Sequence, residues 1–172
     1  MSIPRLTQLA ENTPKENHLF QLVSSVGDGT GVTDLIGAAP AAYTITPGAG
    51  EKFTLKRLNM LEVDGSFNNA AGYGAGSALT NGITITVENA EGVIVNYTPK
   101  PIKTTFEWAL LAGVDSAVVG GAGADPHMVR WTFGKGCGYI ELDGDKGEFF
   151  KVDFGDAMSF MTSIHILVQG CK

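Results

Sequence analysis

The sequence predicts an all-β protein, a β-sandwich of jelly-roll type with an extended N-terminal arm and long Gly-rich loops. Short runs alternate apolar and polar residues at the two-residue period of half-buried strands. The chain has 23 glycines in 172 residues, roughly twice the usual share of about 7%. They lie between the apolar runs and mark turns. No segment predicts a helix longer than two turns, so the sequence is interpreted as roughly eight to ten strands.

The clearest strands form a predicted hairpin. Apolar side chains occupy every second position of residues 83–88, which is typical of a half-buried strand. Asparagine stands first and glycine fourth in residues 89–92, an arrangement that favours a type I turn. Residues 93–98 alternate again on the way back. Pro99 and Pro101 end this second strand because proline cannot donate to a ladder.

The remaining strands are predicted from the same alternation. They cover residues 18–23, 42–46, 51–64, 116–119, 127–133, 139–142, 148–154 and 163–170. Within residues 51–64 the apolar phase changes near Lys56 and Arg57, which indicates a β-bulge. An amphipathic helix is the alternative there, since Phe53, Lys56, Arg57 and Met60 also follow helical spacing. The mixed polarity of that set favours the strand.

The length suits one folded domain. Residues 1–16 are polar, lack a period and contain Pro4 and Pro14, so they are predicted to form an extended arm. Residues 17–172 form the predicted β-sandwich domain. Such an arm would be a mobile tail in a monomer, whereas in an assembly it can lie across a neighbouring subunit.

Charge and composition restrict the partners. The net charge of −6, the pI near 4.9 and the absence of a Lys/Arg run argue against nucleic acid. Only 17% of residues are charged, which predicts that a partner covers part of the surface. No apolar stretch reaches membrane-spanning length, and no signal peptide is predicted. Cys137 and Cys171 do not form a C-x-x-C pair, so both are expected to be reduced thiols.

Three weak motifs contain residue types that can carry chemistry. His18, His127 and His165 are far apart and form no His-x-His pair, so no metal site is predicted. Residues 143–148 begin like a calcium loop but lack the remaining spacing, so they are interpreted as a hairpin tip. The glycines of residues 72–76 lack the strand and the helix that a phosphate-binding loop needs.

The sequence predicts no enzyme, no catalytic residue and no cofactor. No serine or cysteine lies in a nucleophile elbow, and no pair of carboxylates is set by spacing. Glu107 and Trp108 could suggest a carbohydrate site, but a tryptophan in the core is favoured. A cupin-like or glycan-processing enzyme is the alternative from another class, and stoichiometric bound metal would support it.

Several short motifs resemble those of small virion proteins from tailed bacteriophages. They are LTNGI at residues 79–83, PIK at 101–103 followed by Trp108, VRWTF at 129–133, and VQG at 168–170. These motifs are structural rather than catalytic. This chain departs from the pattern at the Gly-rich insertion of residues 65–77 and at the Ala/Gly segment of residues 112–125.

The resemblance covers about residues 40–170 and implies a capsid cement (decoration) protein. Such a protein would be made in the host cytoplasm and would sit on the capsid surface of the virion. It would be a homotrimer that binds the major capsid protein and bridges coat subunits, with no nucleic-acid or membrane partner. The alternative is a tail, fibre or head–tail connector component that binds a receptor or glycan. The predicted interaction residues are Pro4, Leu6, Leu9, Pro14, Leu19, Phe20, Phe67 and Tyr73.

Overall fold

The computed structural model describes residues 18–25, 40–63, 78–118, 126–134, 138–159 and 161–172, with only the backbone path described for 18–25. These residues form ten β-strands and two short 3₁₀-helices. The strands are β1 (His18–Ser25), β2 (Ala41–Ile45), β3 (Lys52–Val63), β4 (Ile83–Asn89), β5 (Gly92–Asn96), β6 (Val114–Val118), β7 (Pro126–Thr132), β8 (Ile140–Asp143), β9 (Phe149–Phe154) and β10 (Ser163–Cys171). The helices are Thr105–Leu110 and Gly144–Lys146.

The strands form two antiparallel sheets. One sheet has the order β1-β10-β3-β7-β6, and β8 also pairs with β3; the other has the order β2-β9-β4-β5. The apolar faces of the sheets share one core, in which the rings of Phe133 and Phe150 lie 6.2 Å apart. The predicted all-β sandwich is therefore confirmed.

Strand alternation produces this core directly. Every second residue of β9 is buried, as the sequence predicts. The largest fully buried side chains come from both sheets and from the segment that follows β5: Trp108, Phe150, Phe154, Ile45, Leu55, Leu58, Met60, Ile83, Ile85 and Ile102. Fully burying an aliphatic or phenylalanine side chain contributes about 1.5–3 kcal/mol, so these residues dominate the stability of the sandwich.

The predicted bulge in β3 is confirmed, and the helical alternative is wrong. In the β3–β10 pairing, Arg57 lies opposite Gln169 while Leu55 lies opposite Gly170, so Lys56 is the extra residue. Beyond this bulge the partner on the other side of β3 changes from β8 to β7. A Cβ atom on Gly170 would lie 2.3 Å from the carbonyl oxygen of Thr54, so only glycine permits this close approach.

The predicted β4–β5 hairpin is confirmed, and its second strand ends before Pro99 as predicted. The backbone N–H of Glu91 donates to the Asn89 side chain at 3.0 Å inside the turn. After the prolines, Ile102 returns to β4 and exchanges two backbone hydrogen bonds with Ile83, at 2.8 and 2.9 Å. Ile102 thus pairs with the start of β4 on the side opposite to β9.

The LTNGI segment has a clear structural role. The Asp156 carboxylate accepts the backbone N–H groups of Thr80, Asn81 and Gly82, the shortest at 2.7 Å. The Asn81 side chain donates to the carbonyl oxygen of Gly155 at 2.8 Å. These bonds hold the start of β4 against the end of β9.

Glu107 holds the segment between Pro99 and the Thr105–Leu110 helix. Its Oε2 accepts the backbone N–H of Lys103 at 2.5 Å and of Thr104 at 3.2 Å. Its Oε1 lies 2.9 Å from the Lys100 ammonium. These interactions, led by the Lys103 N–H, lower the pKa of Glu107 below its ordinary value of 4.5.

We expect Glu107→Gln to lower the free energy of unfolding by about 1–2 kcal/mol near neutral pH, because hydrogen bonds to a charged acceptor are weakened. A lowered pKa gives stability that is present above the ordinary value and is lost as pH falls through the folded value. The difference between the two proteins should therefore shrink in acid. Urea unfolding across the acidic range measures it, with the exposed turn variant Glu91→Gln as control. If the difference in the free energy of unfolding between wild type and Glu107→Gln is the same in acid as at neutral pH, the ionised Glu107 carboxylate is not what stabilises this segment.

Candidate functional site

Strand β5 exposes its whole length at the edge of the four-stranded sheet. Val93, Ile94 and Val95 are 58%, 47% and 40% exposed, and together they form what we name the β5 surface. The sequence predicts alternating burial here, but the structure differs. Within the described residues, β5 pairs with β4 and has no second strand beside it.

The opposite edge of the same sheet is built differently. In β2 the side chains of Tyr43 and Ile45 are buried and Thr44 is exposed. Natural edge strands are usually protected by charge, proline or short length. Both edge strands are five residues long and carry neither charge nor proline, but only β5 exposes all of its residues. The β5 surface is therefore an edge suited to a partner.

A second feature is a chain of hydrogen bonds through three side chains of the other sheet. Ser116 Oγ lies 2.8 Å from His127 Nε2. His127 Nδ1 lies 2.7 Å from Glu62 Oε2. A nucleophile within hydrogen-bond reach of a base, itself oriented by a third group, is the arrangement of serine hydrolases.

The three hydrogen-bonded side chains differ sharply in burial. Glu62 is 0% and His127 is 1% exposed, whereas Ser116 is only partly buried. Burial raises the pKa of the Glu62 carboxyl, and the hydrogen bond from His127 opposes that shift. The second carboxyl oxygen, Oε1, is buried and accepts no hydrogen bond in the described part of the chain.

Three neighbouring strands position these side chains. Glu62 of β3 lies directly opposite His127 of β7, and Ser116 of β6 lies opposite Val129, two residues further along β7. No spacing in the sequence predicts this cluster, because Ser116 and Glu62 are 11 and 65 positions from His127. One signal was present: Glu62 continues the buried phase of Leu58 and Met60.

A cleft of about 340 Å³ adjoins Ser116 at the open edge of β6. Its lining is mostly small or apolar and includes one acid and one base: Ala109, Val114, Asp115, Ser116, Ala117, Met128 and Arg130. The Thr105–Leu110 helix contributes Ala109 to this lining. The exposed side chains of this lining, such as those of Asp115 and Arg130, lie on the face of the sheet opposite to that of Ser116 and His127.

A second cleft of about 370 Å³ lies at the β3 bulge, where the partner of β3 changes from β7 to β8. Its lining combines two basic residues with aromatic and amide groups: Lys56, Arg57, Thr132, Phe133, Tyr139, Gln169 and Gly170. Tyr139 is 59% exposed. An exposed ring beside polar donors is suited to a planar or saccharide ligand.

Most predicted interaction residues lie outside the described part of the chain. Pro4, Leu6, Leu9 and Pro14 belong to residues 1–17, and Phe67 and Tyr73 belong to residues 64–77. The predicted arm, the loop glycines of residues 72–76 and Cys137 lie outside it too. Leu19 and Phe20 lie in β1, whose backbone pairs with β10 opposite Gly170 and Gln169. The strand that carries these two residues belongs to the sheet that does not contain β5.

The weak motifs have structural explanations. Asp143 bonds to Lys52 at 3.0 Å, and Glu148 accepts the Asp143 backbone N–H at 2.9 Å, so both belong to a hairpin tip. Trp108 is a core residue. The Cys171 thiol is buried. His165 lies within 3.0 Å of Ser163 Oγ.

The described residues contain no group of three His, Cys, Asp or Glu side chains placed to hold a metal ion. Neither described helix has the length and apolar character to cross a membrane. No protein-family model, curated protein or solved structure matches this chain.

Proposed function

We propose that this protein is a capsid cement (decoration) protein of a tailed bacteriophage. In this proposal it is a homotrimer of jelly-roll type that is made in the host cytoplasm and binds the major capsid protein on the outer lattice. It bridges coat subunits and stabilises the head. The observation that carries the proposal is the β5 surface, an uncharged and exposed edge strand.

The β5 surface supports assembly through the physics of strand pairing. The backbone of an edge strand offers N–H and C=O groups to an added strand, and its side chains supply specificity. Val93, Ile94 and Val95 add apolar area, and burying each fully would contribute up to about 1.5–3 kcal/mol. The binding free energy of one such contact is modest. Symmetric repetition of the contact and multivalent attachment make the total binding free energy large.

We expect Ile94→Lys to weaken attachment to capsids by at least about tenfold, because it places a charge in an apolar contact that excludes water. The measurement is co-sedimentation of the purified protein with heads that lack it, followed by a heat or osmotic challenge. The control is Thr44→Lys, which adds the same charge to the exposed face of β2. Sedimentation velocity of both variants reports the oligomeric state.

The outcomes separate the parts of the proposal. Wild-type protein at a fixed copy number per head, with heads that resist rupture, supports the cement role. Equal loss in both lysine variants would exclude the β5 surface as the contact. Wild-type protein that does not bind heads would refute the cement role.

The cleft at the β3 bulge favours a second candidate, a tail, fibre or connector component that binds a receptor or glycan. Tyr139, Arg57 and Gln169 would supply a ring and hydrogen-bonding groups for a saccharide. Protein found only in tails or on host cells in the same sedimentation experiment would favour this candidate.

A further inference from the structure

We propose that the cleft at the β3 bulge binds a saccharide that carries a carboxylate, with Lys56 and Arg57 on the carboxylate and the Tyr139 ring against the sugar. This inference deepens the second candidate function above and rests on it for its biological setting, because it names the ligand class of the same cleft. It is carried by the bulge, by the polar side chains beside it and by the position of Tyr139.

The bulge turns two consecutive basic side chains toward the same side of the sheet. Leu55 and Leu58 are both 0% exposed and belong to the core. Lys56 and Arg57 stand between them, and neither is buried. Regular alternation would place only one of two neighbouring side chains on the outer face. Because a bulge re-aims a side chain, both cations lie on that face.

Two polar side chains flank Arg57 on the outer face. Thr132 of β7 lies directly opposite Arg57 on one side, and Gln169 of β10 lies directly opposite it on the other. Residues opposite each other in a ladder share a face, with their Cβ atoms about 4.5–5.5 Å apart. The Thr132 hydroxyl and the Gln169 amide therefore border the arginine, where they can hydrogen-bond to sugar hydroxyls.

Tyr139 supplies an aromatic surface to the same cleft. A Cβ atom on Gly134 would lie 3.0 Å from Tyr139 Cε1 and 3.2 Å from Cζ, so the ring rests against the Gly134 backbone. The Gly134 N–H donates to the Gly138 carbonyl at 2.8 Å, which holds the backbone beside Tyr139. The tyrosine is still 59% exposed. A ring held in this way can pack on the apolar face of a sugar with little loss of conformational entropy.

The charge of the cleft favours an acidic ligand. The chain has a net charge of −6, yet this lining contains two basic residues and no acidic residue. The cleft lined by Asp115 and Arg130 carries one of each. Glu141, the next outward residue of β8 after Tyr139, lies opposite Thr54 and lines a different cleft. A carboxylate in the cleft at the β3 bulge would therefore meet positive charge only.

A carboxylated sugar matches these groups better than a bare anion does. The guanidinium of Arg57 is a planar fork that fits the two oxygens of a carboxylate, and the Lys56 ammonium adds a point charge. The cleft volume of about 370 Å³ is at the small end of ligand sites, which span about 300–1,000 Å³, and suits one or two sugar rings. A bare anion would leave the Tyr139 ring and the Gln169 amide unused.

The test is a titration of the full chain, followed by ¹H–¹⁵N NMR, with a disaccharide that ends in glucuronate and with the same disaccharide ending in glucose. The two probes differ only in the carboxylate. We expect the glucuronate probe to bind at least about tenfold more tightly, because hydrogen bonds to charged groups are stronger than those between neutral groups. Its affinity should fall as salt rises, since salt screens exposed charges. The largest shifts should occur at Arg57, Thr132 and Gln169.

Three variants locate the binding groups, and thermal unfolding checks that each is folded. Arg57→Gln should weaken binding of the glucuronate probe by about tenfold or more and leave binding of the glucose probe nearly unchanged. Tyr139→Leu should weaken binding of both probes. Lys52→Gln is the control for the loss of one positive charge, because Lys52 lies on the same strand but lines a different cleft. It should bind both probes like the wild type.

Equal affinity of the wild type for the two disaccharides would overturn the proposal, and so would no binding of the glucuronate probe. Inorganic sulfate that displaces this probe at equal concentration would also overturn it, because the cleft would then recognise a bare anion. The second candidate function fails separately. Protein that binds the glucuronate probe but is found only on heads would refute that candidate and leave this inference intact. Protein that attaches to host cells but prefers the glucose probe would do the reverse.

Discussion

Replacing His127 with leucine should lower the free energy of unfolding by about 3–5 kcal/mol, because one member of a buried pair is removed and the other stays. In the wild type, Glu62 is fully buried, and its Oε2 bonds to His127 at 2.7 Å. Its Oε1 already accepts no hydrogen bond among the described residues. In the variant, the carboxyl group would lose its contact with the imidazole and would remain in the core.

The double variant Glu62→Leu/His127→Leu should recover most of that loss. Replacing both members of a buried pair with apolar residues is often neutral or stabilising, and the two positions face each other across β3 and β7. Urea unfolding of the wild type, both single variants and the double variant gives the coupling energy directly.

His165→Leu is the control for a histidine on a partly exposed strand position. It should change stability by about 1 kcal/mol or less. If the double variant is as unstable as His127→Leu alone, the pair contributes to stability in its own right. If the double variant recovers, stability does not require these polar groups.

Most strands could be predicted because the alternation of apolar and polar residues follows the alternation of buried and exposed positions. In β9 and β7 the buried residues occupy every second position, so both strands were evident. The bulge in β3 was evident for the same reason, since the apolar phase changes at Lys56. The alternation does not indicate which strands pair with each other. Neighbours such as β3 and β10 are far apart in the chain, so the sheet order came from the structure.

Strand β5 and the hydrogen bonds among Ser116, His127 and Glu62 show why the candidate functional residues are harder to predict than the strands. The valines of β5 have the same local pattern as a half-buried strand, and only its place at the sheet edge leaves them exposed. Ser116, His127 and Glu62 meet through the pairing of three strands, which no spacing in the sequence encodes. The one sign in the sequence is the acidic residue Glu62 at a core position.

The 3₁₀-helix Thr105–Leu110 offers the second large effect. Trp108 is 0% exposed and belongs to the main core, while Phe106 on the same helix is 62% exposed. Trp108→Ala should lower the free energy of unfolding by about 3–5 kcal/mol, through lost apolar contact and the cavity left behind. Phe106→Ala should change it by about 0.5 kcal/mol or less.

Thermal unfolding separates these two variants, because a loss of that size lowers Tm by roughly 10 °C in a domain of this length. The comparison also decides between two interpretations of the aromatic residues near Glu107. A saccharide-stacking tryptophan would be exposed, and its removal would leave Tm almost unchanged. A large loss confined to Trp108→Ala would establish that the segment between β5 and β6 completes the core. Equal small effects in both variants would exclude Trp108 from it.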